Sequence, residues 1–376
     1  MSETFHLGSC LTRWHSATRY DVSASHSEVL PPSALLALAG PRERASWEQG
    51  PLDYARLNGS VGLRKRVACQ HNSLQARDIV CCAGAQAGIV CVASALLTQG
   101  DRAIVVLRIY PPLEWAVTDR GPATGVSLRS DCLALDLQHV AAAVRPKTIT
   151  ILMNVPKSQT GVVLNTANQA PLVELRRARG IGLMNDEVYR QTIDDPDGQP
   201  PQIADVHERG LSVTGLSKGL GLPGLRVGWV ACRDENFTAR VFVAKAALSS
   251  YLAARSEALV QISLREYPRL MKRAREIGLS NCKRRAFLLH QHGHVFQADM
   301  LRNPAFGFPG YRGKEGTEVL AAPLVTKTEA LVPPGSLWRP ALGAVPRDHL
   351  RMSLGQASVP AGLEAMDAYL AMRAVA

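Results

Sequence analysis

Between about Arg77 and Cys232 short apolar runs alternate with helix-length segments, and that alternation limits the fold more than any other feature of the chain. Runs such as Thr148-Ile149-Thr150-Ile151-Leu152-Met153 read as buried strands. A repeated strand and helix order predicts a parallel sheet with helices on its faces. Helices are expected over Pro32 to Ala39, Leu133 to Val144, Leu164 to Arg179 and most of Asn236 to Arg275. Past Lys283 short strands and helices alternate, with a hairpin or strand over Thr317 to Leu331. At 376 residues the chain exceeds the size at which one hydrophobic core keeps growing, so two domains are expected. We divide it into an N-terminal arm over 1–32, a large domain over 33–245 and a small C-terminal α+β domain over 246–376.

With 46% hydrophobic and 20% charged residues, the composition is that of a globular chain, neither disordered nor membrane-embedded. The formal charge of +11 raises nucleic acid as a partner, but the basic residues are scattered. Their densest cluster, Lys272 to Arg285, reads as the solvated face of a helix. With some thirty polar residues ahead of the large domain, no DNA-binding module is expected there. No nucleic acid and no membrane are therefore expected as partners. Met1 to Arg13 lacks a basic start followed by an apolar core, which points to the cytoplasm. The cysteines (Cys10, Cys69, Cys81, Cys82, Cys91, Cys132, Cys232, Cys282) form no C-x-x-C pair and sit mostly in apolar runs, as reduced, buried thiols do. His290, His292 and His294 alternate like one face of a strand or loop, and with no zinc-like spacing no metal is expected.

Chemistry concentrates after the β-like run Leu211 to Thr214, in Ser217-Lys218-Gly219-Leu220-Gly221-Leu222-Pro223-Gly224-Leu225-Arg226-Val227-Gly228-Trp229. A lysine just past a strand can join an aldehyde cofactor as an imine while Arg226 neutralises the cofactor's phosphate. Upstream, Ile79 to Cys82 is a short apolar strand that leads through Ala83-Gly84-Ala85-Gln86 into a helix. Unpaired N–H groups at a helix start, together with the helix dipole, favour an anion, so Gly84, Ala85 and Gln86 form a natural phosphate cradle. Small residues at such a turn also let helices pack closely. Asp186 closes the run from Ile181, at a strand end that faces the ligand cleft of α/β sheets; a generic Asp-Glu pair there also serves as a helix cap.

Taken together, Asp186-Glu187-Val188-Tyr189, the Ser217 to Trp229 block and Arg351-Met352-Ser353-Leu354-Gly355 resemble the class I/II aminotransferases, fold-type I enzymes that use pyridoxal 5'-phosphate (PLP). The resemblance spans about Tyr54 to Gly355. It implies an α/β large domain on a mainly parallel sheet of the seven-stranded type, a smaller α+β domain, and a homodimer with shared active sites. Lys218 is then the catalytic nucleophile, carrying PLP as an aldimine and acting as acid and base in moving an amino group from an L-amino acid to a 2-oxo acid. Asp186, 32 residues before the lysine, pairs with the pyridine nitrogen, and Tyr189 hydrogen-bonds the phenolate oxygen. Tyr110, just before Pro111, stacks on the ring. Tyr54 reaches the phosphate of the partner subunit, and Arg351 grips the substrate α-carboxylate through two parallel hydrogen bonds. Read without the family, Tyr54 is an interface or surface aromatic, Tyr110 a core aromatic and Arg351 a surface charge. The arm stretch Tyr20 to Glu28 stands where relatives place a substrate-facing loop; read without the family it is a plain surface coil.

The chain departs from the family in Asn154-Val155-Pro156-Lys157-Ser158-Gln159-Thr160-Gly161. Val155 replaces an asparagine, Gln159 replaces a proline, and Ser158 stands where an asparagine usually donates to the phenolate oxygen. A serine hydroxyl donates one proton only. Gly215 stands where relatives often carry a phosphate-binding serine, leaving Thr214 or Ser217 to substitute. These changes keep a second chemistry open: a PLP-dependent lyase, cyclase or oxidase of specialised amino-acid metabolism, resembling capreomycidine synthase.

Overall fold

The computed structural model describes residues 6–129, 134–163, 166–193, 200–299, 303–344 and 348–375. Cys132 and the expected helix starts at Leu133 and Leu164 lie outside these residues.

Seven strands among the described residues form the central sheet: β1 (Ile79–Cys82), β2 (Arg102–Val106), β3 (Ala123–Val126), β4 (Thr148–Asn154), β5 (Gly182–Asp186), β6 (Gly210–Gly215) and β7 (Gly228–Ala231). Their order across the sheet is β1-β7-β6-β5-β4-β2-β3. Every neighbouring pair is parallel except those made by β7, which runs antiparallel to β1 and β6. The expectation of a mainly parallel, helix-covered sheet is met. Its strands are apolar throughout because both faces are covered. Alternate residues of β2 go to opposite sides: Ala103 and Val105 join one core with the helix Ala85–Leu96, and Ile104 and Val106 join another with Leu172 and Val173 of the helix Thr166–Ala178.

A further core gathers Leu288, Leu289, Leu320, Leu324, Met352, Leu363 and Met366 from the C-terminal part, and Val22 of the arm packs into it. Its elements are the long helix Tyr267–Gln291, the helices Thr317–Thr328 and Val359–Val375, and short strand pairs. No helix among the described residues is long and apolar enough to cross a membrane.

Several local expectations are corrected. Thr317–Thr328 is a helix, not a hairpin or strand, with only Ala330–Leu331 extended after it. Its β-branched residues suggested a strand, but Leu320, Leu324 and Thr328 are buried four residues apart, which is one helical face. The single long helix over Asn236 to Arg275 is three: Glu235–Ser249, Ala254–Arg265 and one beginning at Tyr267. The first ends at Ser250, whose φ of 36° no helix accommodates, and the third starts with a proline in its first turn. The arm contains a helix, His6–His15. The basic face is not wholly solvated, because Arg285 is 3% exposed and pairs with Asp299. Of the three histidines expected on a strand or loop, His290 lies in the helix Tyr267–Gln291, whereas His292 and His294 lie in the turn after it; His292 caps the helix and its Nε2 lies 2.7 Å from Asp367 Oδ1.

Candidate active site

Parallel pairing sets Asn154 of β4 beside Asp186 of β5, and Asp186 beside Val213 of β6. The chain leaves β6 through Leu216 and Ser217 to reach Lys218, so carboxylate and lysine meet at one end of the sheet. They face a cavity of about 980 Å³. Its wall holds Ala85, Gln86, Tyr110, Ser158, Asp186, Tyr189, Ser217, Lys218, Arg226 and Arg351, which the topology brings together from both ends of the sequence. Gly84 immediately precedes Ala85 at the helix start. Tyr54 does not line the cavity of its own chain; it is 73% exposed and stacks on Tyr251 with ring centres 4.8 Å apart.

Asp186 is 2% exposed. Burial pushes its carboxyl up to about 7, against the opposing effects of the Val188 N–H, 3.2 Å from Oδ1, and of the Lys218 charge. A carboxyl in that state is completed by a basic nitrogen. Lys218 Nζ donates to Ser25 Oγ at 2.6 Å and lies 5.7 Å from the centre of the Tyr189 ring. The Tyr189 hydroxyl donates to the Ser25 carbonyl at 3.1 Å.

The helix Ala85–Leu96 starts at Gly84, whose φ of 88° and ψ of 162° only glycine adopts readily. A Cβ there would also stand 2.7 Å from Arg226 Nη2, so the turn and the guanidinium are in close contact. Arg226 itself holds a left-handed φ of 51°, an uncommon conformation for a residue with a side chain. Gly228 is equally constrained, since its Cβ would meet the Ala85 nitrogen at 2.4 Å. Tyr110 is held near the cradle, its hydroxyl donating to Gln86 Oε1 at 3.3 Å. Burial pushes that phenol up to about 12, so it stays a donor.

Arg351 is 1% exposed, and burial lowers its pKa. Its guanidinium carbon stands 4.7 Å from the centre of the Phe306 ring and 5.3 Å from that of Trp338. Nε donates to the Ser158 carbonyl at 3.1 Å and Nη1 to the Ser23 carbonyl at 3.0 Å. No ion pair among the described residues includes this arginine, and the Tyr189 side chain is a further hydrogen-bond neighbour of its guanidinium. Ser158 Oγ is buried with no hydrogen-bond partner. A polar ligand atom would satisfy it.

Sequence reasoning missed Ser25 and His26 as individual wall residues, although the arm stretch containing them was singled out. It also missed Trp115 and Glu114. The Glu114 carboxylate accepts from Ala341 and Leu342 N–H groups at 2.9 and 2.8 Å, tying the helix Pro111–Thr118 to the C-terminal part. No short-range signal marks a contact of that sequence separation.

A phosphorylated pyridine aldehyde fits this donor set. The cradle and Arg226 suit the phosphate, Tyr110 the ring, Asp186 the ring nitrogen, Lys218 the aldehyde and the orphaned Ser158 hydroxyl an oxygen substituent.

Comparison with known proteins agrees. An arginine–pyruvate transaminase of Pseudomonas aeruginosa is 31% identical over 189 residues, covering 48% of this chain and 48% of that protein. A tyrosine aminotransferase of Dictyostelium discoideum is 27% identical over 177 residues, 46% of this chain and 42% of its own. The alignments thus span about half the length of these relatives. Among solved structures, a PLP-dependent aminotransferase from Streptococcus suis superposes with a TM-score of 0.89 at 22% identity, covering 98% of this chain and 97% of that one. A PLP-dependent cyclase gives 0.85 at 21% identity, over 96% and 97%. The family model for aminotransferase class I and II matches residues 19–278. That match takes in more than half of the chain, from the arm through the whole central sheet, and the chain is therefore a member of the class I and II aminotransferases.

Proposed function

We propose that this chain is a PLP-dependent aminotransferase that moves an amino group from an L-amino acid to a 2-oxo acid. The observation that carries the reading is the convergence of Lys218, Asp186 and Arg351 on one cavity. When bound, PLP supplies an electron-accepting ring that acidifies the α-hydrogen of an attached amino acid. Lys218 Nζ takes that hydrogen as a proton and returns it two atoms along, on the far side of the shared nitrogen, as general base and then general acid. Asp186 holds the pyridine nitrogen protonated, and Tyr189 and Ser158 face the phenolate oxygen. Arg226, Ser217 and the N–H groups at the start of the helix Ala85–Leu96 neutralise phosphate. Arg351 orients the substrate by its α-carboxylate.

The exposed Tyr54, with Leu52 at 88% exposure beside it in sequence, supports a homodimer in which Tyr54 completes the partner subunit's site. The division into 33–245 and 246–376 places the cofactor residues up to Arg226 in the large domain and Arg351 in the small one. A cytoplasmic setting is supported by the absence of any disulfide among the described cysteines.

A panel of amino acids and 2-oxo acids with the purified, PLP-loaded protein tests the reading. Appearance of a new amino acid with loss of the donor is expected, and Lys218→Ala abolishes it. Loss of amine with no new amino acid overturns it in favour of elimination or cyclisation, the reading to which Ser158 and Gln159 lend support.

A further inference from the structure

The arm segment Ser23 to Ser27 is hydrogen-bonded to Arg351, Tyr189 and Lys218 of the cavity wall. The Ser23 carbonyl accepts from Arg351 and the Ala24 carbonyl from Ser353 Oγ. The Ser25 carbonyl accepts from the Tyr189 hydroxyl, and Ser25 Oγ accepts from Lys218 Nζ at 2.6 Å. Ser27 N–H then donates to the Lys218 carbonyl at 2.9 Å. Lys218 is thus held at its backbone and at its amine by two residues of one segment. Because that segment is pinned at successive positions, the serine hydroxyl cannot drift with the lysine. We propose that Ser25 is a positioning residue for Lys218, holding the ε-amine by one N–H so that its lone pair stays directed into the cavity.

The physical need is specific. A lysine side chain turns about four bonds and carries much rotamer entropy, so an unrestrained amine spends little time aimed at a reacting carbon. Among the described residues Ser25 Oγ is the hydrogen-bond partner found for Nζ. The nearby Tyr189 ring offers a face and no acceptor atom, and the Tyr189 hydroxyl is turned to the Ser25 carbonyl instead. Ser25 therefore sets where the amine stands whenever Lys218 is not covalently engaged, which is when it acts as a base. The kinetic part of this inference rests on the aminotransferase reading; the geometric part does not.

Two measurements decide it. In the first, the full chain without cofactor is treated with acetic anhydride at fixed pH and Lys218 acetylation is followed by mass spectrometry. An amine whose lone pair is held toward the cavity meets the reagent in a productive orientation more often, so Ser25→Ala is expected to label Lys218 about threefold to tenfold more slowly than the parent, and Ser25→Thr at the parental rate. An unchanged rate in Ser25→Ala overturns the proposal. In the second, the PLP-loaded Ser25→Ala is expected to lose about tenfold in kcat with KM unchanged, and to be slowed more than the parent by an α-deuterated amino acid, with Ser25→Thr restoring both. A loss in KM alone, or an isotope effect equal to the parent's, also overturns it. If the parent exchanges no amine, the aminotransferase reading fails while the labelling result still decides the role of Ser25.

Discussion

Lys157 donates its ammonium to the backbone carbonyl of Leu107 at 2.9 Å while only 1% exposed. The same nitrogen donates to the Val106 carbonyl, also at 2.9 Å, and Gln159 Nε2 donates to the Ile109 carbonyl at 3.1 Å. Two residues of the divergent loop thus stitch it to the segment that presents Tyr110, across Arg108 with its left-handed φ of 54°. Burial, reinforced by the Arg108 charge, lowers the lysine to about 7. The unfolded chain then binds the extra proton between about pH 7 and the ordinary lysine range, so this group's contribution to stability grows as pH rises through that window and is lost as pH falls through 7. Denaturant melts of the cofactor-free parent and Lys157→Met between pH 6 and 10 are expected to diverge in the parent's favour with rising pH. Parallel pH profiles would contradict it.

Asp186 behaves in the opposite sense. Its folded-state pKa of about 7 lies above that of an unfolded aspartate, so its contribution is complete in acid and is lost as pH rises from about 4 to about 7. Asp186→Asn, which mimics the protonated carboxyl, is expected to be progressively more stable than the cofactor-free parent across that range, by at most about 4 kcal/mol at neutrality. The same variant is expected to lose most transamination, because asparagine holds no pyridinium.

Gly84→Ala places a side chain where φ and ψ admit glycine and where Arg226 Nη2 already stands. A cost of about 1–3 kcal/mol in stability is expected. PLP affinity is expected to fall with it, since relief of the clash moves Arg226. Urea melts and cofactor titration by absorbance check the two effects separately.

Ser158→Ala removes a buried hydroxyl that lacks a partner. The cofactor-free chain is expected to be unchanged or more stable by about 1 kcal/mol. The added thermal stability conferred by PLP is expected to shrink, because the proposed function assigns that donor to the bound cofactor. A melting series with and without PLP distinguishes this from simple destabilisation, which would lower both curves equally.

Much of the site was legible because its residues are tied to strand ends. Asp186 ends one strand and Lys218 follows another, both with an apolar pattern, and parallel pairing of β5 with β6 leaves them little freedom to be far apart. Arg351 was legible as a motif but its surroundings were not. Nothing near it in sequence announces Phe306 and Trp338 around the guanidinium or the Ser158 carbonyl beneath Nε. Thr317–Thr328 was misread because β-branched residues favour strands locally, whereas burial of one face against the C-terminal core decided for helix.

The sequence by itself determined the alternating sheet, the helix starting at Gly84 and the order in which acid, lysine and arginines occur, because apolar period and turn chemistry act over a few residues. Only the tertiary structure decided that Ser25 meets Lys218 and that Lys157 is buried against the end of β2. Those contacts join segments far apart in the chain, and what selects them is the packing of whole elements, which no local pattern encodes.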